Sequence, residues 1–377
     1  MPLPDDNYGD RTTIFRRDDT LPAGEQEDIG HYLTVIGGAD LGRRIRVEAE
    51  PIVIGRDPAC GLALSSPDVS RRHCRVELVA GEVFVTDLDS TNGTYVDGRR
   101  ITDTTMLPDG STLEMGRQVL KLERRSAREI REAQELDRDL EKARNYVLSL
   151  LPPPIVSGPC QTEWFIVPSA KVGGDAFGYG PVDENYFVSY LVDVSGHGVG
   201  AAMLSVSILN VLRQRALPET DFRRPAQVVS RLNDMFQMEN HDGMFFTIWY
   251  GVYDRARRTL AYASGGHHPA YLVSAARTEV TPLKTEGPLI GAIERHDFRE
   301  ASKEIDEGSA LHIFSDGVFE IADKEGRQRT LSDFLPLLSQ PALEGRSEPQ
   351  RLYQTIRSSA RPGPLDDDFS YLVVKFA

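Results

Sequence analysis

The feature that most constrains this chain is a set of aspartates placed at the ends of predicted strands. The stretch from Lys171 to Ala202 includes KVGGDAFGYG, a strand-like YFVSYLV and DVSGHGVGAA, and it sets Asp175 and Asp193 beside glycines that allow close backbone approach. Further on, Asp316 follows the apolar strand LHIF, and three consecutive aspartates precede another apolar strand in DDDFSYLVVKF. Four acidic positions at strand ends predict one carboxylate cluster.

Such a cluster indicates a hard divalent cation. Carboxylates gathered at the end of a sheet repel one another unless positive charge lies among them, and oxygen ligands suit magnesium, manganese and calcium. The chain has no His-Cys spacing typical of zinc sites and no Gly-rich phosphate loop ending in Gly-Lys-Ser or Gly-Lys-Thr. A single Asp-Gly dipeptide is an ordinary turn signal, so the prediction rests on the whole set.

Composition narrows the class of protein. A net charge of -14 on 377 residues argues against nucleic acid or an anionic membrane surface as a partner. The sequence has no apolar run of the roughly 18 residues that a membrane span needs, and its N-terminus lacks the pattern of a signal peptide. Three scattered cysteines, Cys60, Cys74 and Cys160, fit a reducing compartment. We therefore expect a cytoplasmic protein.

The acidic motifs GGD, LVDVSGHG, FSDG and DDxS, in this order, resemble the metal-dependent serine/threonine phosphatases, in particular the bacterial SpoIIE-like (RsbU-like) branch of the type 2C group. The resemblance implies an α+β phosphatase domain over residues 152–377, with two packed antiparallel sheets flanked by helices. It also implies two Mn²⁺ or Mg²⁺ ions that share a water, lower its pKa and stabilise in-line displacement at phosphorus. The implied catalytic residues are Asp175 and Asp193, and the implied metal ligands are Asp175, Asp193, the carbonyl of Val194, Asp316 and Asp367.

Other polar residues near these motifs are given lesser roles. Asp368 matches a family position behind the metal ligands. His197 lies two residues beyond the place where eukaryotic relatives carry their histidine, so we expect it to pack within its loop, with a metal-bound water as proton donor. His267 and His268 are expected to be structural, and Lys171 is a weak candidate for contact with the substrate phosphate.

Residues 31–122 show short alternating strands separated by turn residues, which predicts an all-β sandwich. Three of its loops, GRDPAC, SRRHC and DSTNGTYVDG, combine arginine and serine, which suit phosphate oxygens, with asparagine, which suits an extended peptide backbone. Their order and spacing resemble the forkhead-associated (FHA) domain, a reader of phosphothreonine peptides. The resemblance implies that Arg56, Ser70 and Arg71 bind the phosphate and that Thr91 and Asn92 bind the peptide.

Residues 123–151 form the predicted connection between the two domains. The segment is rich in both charges and contains no proline before Pro152, so it predicts a helix that ends at the proline run. Apolar residues three and four apart predict a short coiled-coil seam, through which a homodimer is one hypothesis and a plain spacer the other. The seam consists of Ala133, Leu136, Leu140, Ala143, Val147 and Leu150.

Residues 1–30 are acidic, carry several prolines and glycines, and predict a disordered tail. Within it, Thr12 and Thr13 are candidate kinase targets whose phosphate would suit the Arg56–Ser70 pocket; the alternative is that this patch rests on the folded domain. In the FHA pattern, His73 is expected to support the neighbouring loop rather than to bind the ligand.

The leading hypothesis is a protein serine/threonine phosphatase that is targeted or regulated by an FHA domain docking on a phosphothreonine of a kinase, a partner or its own tail. In the SpoIIE-like branch the substrates are often phosphorylated anti-sigma-factor antagonists, so that class is a candidate here. The alternative is a phosphothreonine-binding scaffold with an inactive phosphatase-like domain. All four acidic positions are present, which favours the enzyme.

Overall fold

The computed structural model describes residues 29–343, 345–361 and 363–377. The chain divides into two compact units, an N-terminal unit, Met1–Leu136, and a C-terminal unit, Asp137–Ala377. The tail threonines Thr12 and Thr13 lie outside the described residues. Among the helices of the described ranges, none combines the length and the apolar character needed to cross a membrane.

The N-terminal unit contains two β-sheets, as the sequence predicted. One sheet has six strands in the order β2-β1-β11-β10-β7-β8, and the other has five strands in the order β4-β3-β5-β6-β9. The strands are β1 (Ile29–Gly37), β2 (Arg44–Val47), β3 (Ile52–Gly55), β4 (Leu62–Ala63), β5 (Cys74–Val79), β6 (Glu82–Asp87), β7 (Tyr95–Val96), β8 (Arg99–Arg100), β9 (Thr105–Leu107), β10 (Thr112–Met115) and β11 (Gln118–Ser126).

The core of this unit follows from the alternation of apolar and polar residues along the strands. In β5, Cys74 and Val76 are fully buried while Arg75 between them is exposed, so one face of the strand points inward. Leu33 of β1 and Leu120 of β11 are also fully buried in the same core. The loops that join these strands carry the residues of the predicted phosphopeptide site.

Helix α1 (Ala127–Leu150) begins later than the sequence indicated. The predicted linker started at residue 123, but β11 continues through Ser126. There a capping box starts the helix: Ser126 Oγ accepts from the N–H of Glu129 at 3.1 Å, and the Glu129 carboxylate accepts from the N–H of Ser126 at 2.7 Å. The helix ends just before Pro152, as predicted.

Part of the predicted coiled-coil seam is covered within the same chain. In the C-terminal half of α1, Leu140, Ala143 and Val147 pack with three apolar residues of the C-terminal unit, which are Val172, Ala202 and Val206. Leu136, by contrast, is 61% exposed. Residues spaced three and four apart predict an apolar stripe but do not identify what covers it.

The C-terminal unit contains two five-stranded antiparallel sheets, in the orders β12-β21-β20-β17-β18 and β13-β14-β15-β16-β19. The strands are β12 (Cys160–Val167), β13 (Ala176–Pro181), β14 (Tyr186–Val194), β15 (Phe246–Asp254), β16 (Thr259–Gly265), β17 (Ala270–Val273), β18 (Val280–Leu283), β19 (Ala301–Glu304), β20 (Ala310–Phe314) and β21 (Phe369–Phe376). The α-helices are α2 (Val199–Arg213), α3 (Pro225–Met235), α4 (Leu331–Phe334) and α5 (Glu348–Ser359).

Helices cover the sheets of this unit, which confirms the predicted α+β architecture. Helix α2 packs on β13 and β14, α3 packs on β15 and β16, and α5 packs on β12 and β21. Central strands are therefore buried on both faces, and Leu191 and Val192 of β14 are adjacent residues that are both fully buried. This double burial explains why YFVSYLV reads as a continuous apolar run rather than an alternating one.

Candidate metal centre and phosphopeptide-binding loops

The strand registers bring the acidic motifs to matching strand ends. In one sheet, Ala176 of β13 pairs with Val192 of β14, so Asp175 and Asp193 are the next residues at the same end of the two strands. In the other sheet, Phe314 of β20 pairs with Tyr371 of β21, which places Asp316 and the run ending at Asp368 at a shared end. Each sheet contributes one pair of predicted positions.

Asp193, Asp316 and Asp367 line one pocket of about 220 Å³. Val194, at the end of β14, lines it as well, as does His197, whose side chain is exposed. Asp175 does not line this pocket; its side chain lies behind it and is 4% exposed. The pocket therefore collects four of the five predicted metal-ligand positions, with Asp175 buried beside them.

The carboxyl groups raise one another's pKa. Burial, and then the charges of the other acidic side chains, of which Asp316 contributes most, raise the pKa of Asp193 to about 8. Burial followed by Asp193 and Asp368 raises the pKa of Asp175 well above its usual value. Burial and Asp367 raise the pKa of Asp316 to about 6, and burial raises that of Asp367. Bringing these carboxylates together in their charged forms therefore costs free energy.

These residues fit a hard cation by their chemistry. Within the described ranges, no three His, Cys, Asp or Glu side chains form a ready-made coordination cage. The donors are nevertheless all oxygens, and Asp175 Oδ2 is buried without a hydrogen-bond partner in the described structure. A divalent cation among them would offset the repulsion that raises their pKa values.

Asp368 holds the loops around the pocket. Its Oδ1 accepts from the N–H and the hydroxyl of Ser169 at 2.7 and 2.9 Å, and its Oδ2 accepts from the N–H of Gly174 at 2.7 Å. The Asp368 carbonyl accepts from the Ser315 hydroxyl at 2.8 Å. These protein donors occupy both carboxylate oxygens, which agrees with the expected position of Asp368 behind the ligands. No sequence pattern singled out Ser169.

Glycines allow the two halves of the site to meet. A Cβ on Gly174 would lie 2.8 Å from the carbonyl oxygen of Val194, and a Cβ on Gly173 would overlap the carboxylate of Asp368. Real side chains do not tolerate such approaches, so the Gly-Gly pair before Asp175 is required by close packing. This is the structural reason for the GGD motif.

Two sequence expectations near the pocket differ from the structure. His197 was expected to pack within its loop, but its side chain is exposed and borders the pocket, because the glycines on either side, Gly196 and Gly198, adopt φ values of +86° and +89° and turn the loop outward. Lys171 was a weak candidate for phosphate contact; instead its Nζ lies 2.7 Å from Asp137 of α1.

In the N-terminal unit, the three predicted loops meet at one edge of the sandwich. The N–H of Arg56 donates to the carbonyl of Ser70 at 2.9 Å, and the N–H of Asp57 donates to the carbonyl of Arg71 at 3.0 Å. A Cβ on Gly55 would overlap that Arg71 carbonyl, so the close approach of the loops requires glycine there. The side chains of Arg56 and Arg71 are both exposed.

The third loop joins the same edge through side chains. The hydroxyl of Ser70 accepts from the N–H of Thr91 at 3.0 Å, and the Asn92 amide nitrogen donates to the carbonyl of Asp68 at 2.7 Å. All five predicted phosphopeptide-binding residues therefore belong to loops that are hydrogen-bonded to one another. Asn92 and Thr91 are exposed, which leaves their outer faces accessible.

His73 supports these loops from beneath, as expected. It is fully buried, its Nδ1 accepts from the N–H of Ser70 at 3.1 Å, and its Nε2 lies 3.1 Å from the carbonyl of Gly93. Burial lowers its pKa, so the neutral ring with hydrogen on Nε2 satisfies both contacts. The imidazole thus links the second loop to the third.

Comparison with known proteins identifies the segments to which the two candidate sites belong. The family model for Stage II sporulation protein E (SpoIIE) matches residues 183–377, and the FHA domain model matches residues 52–116. The chain is 30% identical over 187 residues to the phosphoserine phosphatase RsbP of Bacillus subtilis; the match covers 48% of this chain and 45% of RsbP. The chain thus spans about half the length of that relative.

The two halves also match separately. The FHA domain-containing protein FhaB of Mycobacterium tuberculosis is 35% identical over 112 residues, which are 30% of this chain and 72% of FhaB. The SiaA-PP2C domain of Pseudomonas aeruginosa shares the fold with a TM-score of 0.55 at 19% identity, covering 65% of this chain and 99% of that domain. The SpoIIE model alone covers more than half of the 377 residues. The chain therefore belongs to the SpoIIE family, and it carries an FHA domain on the N-terminal side of its SpoIIE region.

Proposed function

We propose that this protein is a metal-dependent protein serine/threonine phosphatase whose FHA domain binds phosphothreonine. The observation that carries the proposal is geometric: carboxyl groups from two different sheets line one pocket, where burial first and then their mutual repulsion raise their pKa values. A protein has no structural use for that repulsion, whereas two divalent cations would stabilise it. The likeness to a phosphoserine phosphatase of Bacillus subtilis supports the same reaction.

In this proposal the residues have distinct tasks. Asp193, Asp316, Asp367 and the carbonyl of Val194 hold two Mn²⁺ or Mg²⁺ ions, and Asp175 completes the set from its buried position. When bound, such cations supply the Lewis acidity that turns water into a nucleophile near neutral pH. The chain itself fixes the geometry, because Asp368 ties the neighbouring loops in place through its four hydrogen bonds to Ser169, Gly174 and Asp175.

The substrate we propose is a phosphoserine or phosphothreonine in another protein, with a phosphorylated anti-sigma-factor antagonist as one candidate. The pocket of about 220 Å³ is open and lined largely by polar groups, which suits a phosphoryl group presented on a protein surface. A cytoplasmic location accords with this substrate class and with the free thiols of Cys60, Cys74 and Cys160.

The activity is tested by phosphate release from a phosphothreonine peptide, measured with Mn²⁺, with Mg²⁺ and with chelator. We expect metal-dependent turnover that falls at least 100-fold in Asp193→Asn and in Asp316→Asn, since each removes a negative charge from the cluster. Asp306→Asn, an exposed aspartate outside the pocket, is the matched control and keeps its turnover. Absence of turnover together with absence of cation binding would favour the scaffold alternative.

We further propose that Arg56, Ser70 and Arg71 bind the phosphate of a phosphothreonine ligand and that Thr91 and Asn92 bind its backbone. The exposure of the two arginines beside the Ser70 hydroxyl supports this assignment. The ligand is a kinase, a partner protein or the chain's own Thr12–Thr13 segment. Fluorescence anisotropy with phosphorylated and unphosphorylated tail peptides tests the last case: phosphate-dependent binding that survives in Arg56→Ala contradicts it.

A homodimer through the linker helix is a further proposal. Because Leu140, Ala143 and Val147 pack within the chain, the dimer would use the exposed Leu136 and the 57%-exposed Tyr146. Sedimentation of the full chain beside Leu136→Glu tests it, and an unchanged molecular mass between the two proteins would contradict it.

A further inference from the structure

A second cleft in the C-terminal unit shares no lining residue with the carboxylate pocket. It lies on the face of the β12-β21-β20-β17-β18 sheet that packs against α5, and it has a volume of about 390 Å³. At ~30 Å³ per water molecule, that volume corresponds to about a dozen waters. The cleft is therefore far larger than a packing defect and falls in the size range of small-molecule sites.

The side chains around this cleft carry an excess of positive charge. Among its lining residues in the described part of the chain, Arg277, Arg346 and Lys375 are cationic, and Glu348 is the one acidic side chain. The chain as a whole has a net charge of -14. A basic cleft on an acidic protein concentrates anions at that place.

Each cation of the cleft already has a partner: Arg277 and Lys375 pair with the nearby carboxylates of Glu348 and Glu163, and Arg346 donates to the amide oxygen of Gln354. Glu348 accepts from Arg277 and also from Arg351, whose Nε and Nη2 lie 2.9 and 2.7 Å from it. Glu163 binds Lys375 and accepts from the N–H of Glu348 at 3.0 Å. Two guanidinium groups thus share one carboxylate, and the positive charge at the cleft is only partly offset.

A buried histidine beside the cleft has an unused nitrogen. His312 lines the cleft and is 1% exposed; its Nδ1 lies 2.9 Å from the hydroxyl of Tyr371, while Nε2 has no hydrogen-bond partner in the described structure. Burial and the charges of Arg277, Arg351 and Lys375 lower its pKa to about 3, so the ring is neutral. When Nδ1 of the neutral ring accepts from the Tyr371 hydroxyl, the hydrogen of the ring is on Nε2. Leaving that buried N–H donor without an acceptor destabilises the fold.

Most of the remaining lining is apolar, with Gln161 and Ser274 as the neutral polar side chains. Val273, Ala310 and Val373 come from three neighbouring strands; Val273 and Val373 are almost fully buried, and Ala310 and the exposed Ala275 present the apolar surface of the cleft. An inorganic ion would leave this surface bare, whereas an organic anion with a short apolar body would cover it. Polar groups at one side of a mostly apolar cleft are the usual arrangement for a small-molecule ligand.

We propose that this cleft is a binding site for a small organic anion. Its carboxylate or phosphoryl group is held by Lys375, Arg277 and Arg346, and its apolar part lies against Ala275 and Ala310. The inference is independent of the metal chemistry. Two strands connect the cleft with the carboxylate pocket. Strand β20 runs from the cleft residue His312 towards Asp316, and β21 runs from the neighbourhood of Asp367 to the cleft residue Lys375.

The test is isothermal titration of the full chain with phenylphosphonate, benzoate and inorganic phosphate, with benzyl alcohol as a neutral analogue. Chelator is present and the protein carries Arg56→Ala, so that neither the metal centre nor the FHA loops contribute. We expect saturable one-to-one binding of phenylphosphonate, benzoate or both, at least tenfold tighter than binding of phosphate or benzyl alcohol. Phenylphosphonate alone would assign a phosphoryl ligand, and binding of both would admit a carboxylate.

The variant Arg346→Ala/Lys375→Met removes two of the cations, and we expect it to weaken binding at least tenfold. Arg299→Ala/Lys324→Met removes the same charge from exposed positions outside the cleft and should change the affinity less than twofold. Thermal melting of each variant checks that it is folded. Lack of saturable binding by any of the three anions, or equal affinity in the two variants, would overturn the proposal.

A second readout locates the site. In protein with ¹³C-labelled histidine, the ring signal of His312, assigned by its loss in His312→Asn, should move with ligand concentration. The signal of His73 beneath the FHA loops should stay in place. Movement of His73 without movement of His312 would refute the assignment of the cleft.

Discussion

Removing one charge from the carboxylate cluster should stabilise the metal-free protein. Asp193 is partly buried, and its pKa is raised to about 8 by burial and by the neighbouring acidic groups, Asp316 first. Asp193→Asn keeps the shape of the side chain and removes its charge. We therefore expect the variant, in chelator at pH 7.5, to melt at a higher temperature than the unmodified chain.

The sign and the size of this stability difference follow from the change in the pKa of Asp193 between the unfolded and the folded chain. A carboxyl group whose pKa is higher in the folded state than in the unfolded chain stabilises the fold fully below the unfolded value of 3.8, and this contribution is lost as the pH rises towards 8. At 1.36 kcal/mol per pKa unit, the rise corresponds to at most about 5 kcal/mol near pH 7.5. Relaxation and water entry reduce it, so we expect about 2 kcal/mol, or roughly 4–8 °C in melting temperature.

The assay is thermal melting of the full chain and the variant between pH 4.5 and 8, with chelator and with saturating Mn²⁺. The difference should shrink as the pH falls to 4.5, because Asp193 is then protonated in the folded state and the pH approaches the unfolded value of 3.8. With Mn²⁺ the order should reverse, because cations bind the unmodified chain more tightly and stabilise it by mass action. Asp306→Asn should follow the unmodified chain throughout. A variant that melts no higher than the unmodified chain in chelator, with no dependence on pH, would refute the electrostatic reasoning.

Three further perturbations have defined outcomes. Asp368→Ala removes the acceptor that holds two loops. We expect thermal melting to show about 2–4 kcal/mol of lost stability, and phosphate release to show at least 100-fold lower turnover. Normal turnover would contradict the positioning role of Asp368. Val147→Asp places a charge where α1 packs against Val172 and Ala202 and should cost about 2–4 kcal/mol, whereas Asn145→Asp, which adds the same charge at an exposed position of α1, should cost less than about 0.5 kcal/mol; equal losses would exclude the packed helix. Gly55→Ala forces a Cβ onto the Arg71 carbonyl and should lower phosphothreonine-peptide affinity at least tenfold by anisotropy, with phosphatase turnover unchanged.

Strand-end motifs predicted where the acidic side chains lie, because each acidic residue directly adjoins an apolar strand. Once β14 and β20 are recognised, Asp193 and Asp316 must lie at strand ends, and the family resemblance places them together. The same logic applied to the FHA loops, where Arg56 follows a buried strand. The two sheets of the C-terminal unit and the order of the domains were predicted from the family resemblances.

Other features depend on partners that are distant in the chain and therefore have no local signal. The apolar stripe of α1 predicted a buried face, but periodicity does not tell whether a second copy or the C-terminal unit covers it. The outward turn of His197 depends on the backbone angles of its flanking glycines. The basic cleft brings together Arg277 and Lys375, which are almost a hundred residues apart and lie in no recognisable motif.

The most direct test of the central claim is a count of Mn²⁺ ions bound by the full chain, measured by electron paramagnetic resonance during titration. We expect two saturable ions per chain and the loss of both, or at least of the tighter one, in Asp193→Asn, with Asp306→Asn unchanged. Mn²⁺ binding that is absent, or that is the same in Asp193→Asn as in the unmodified chain, would contradict a metal centre built from the carboxylates of the two sheets.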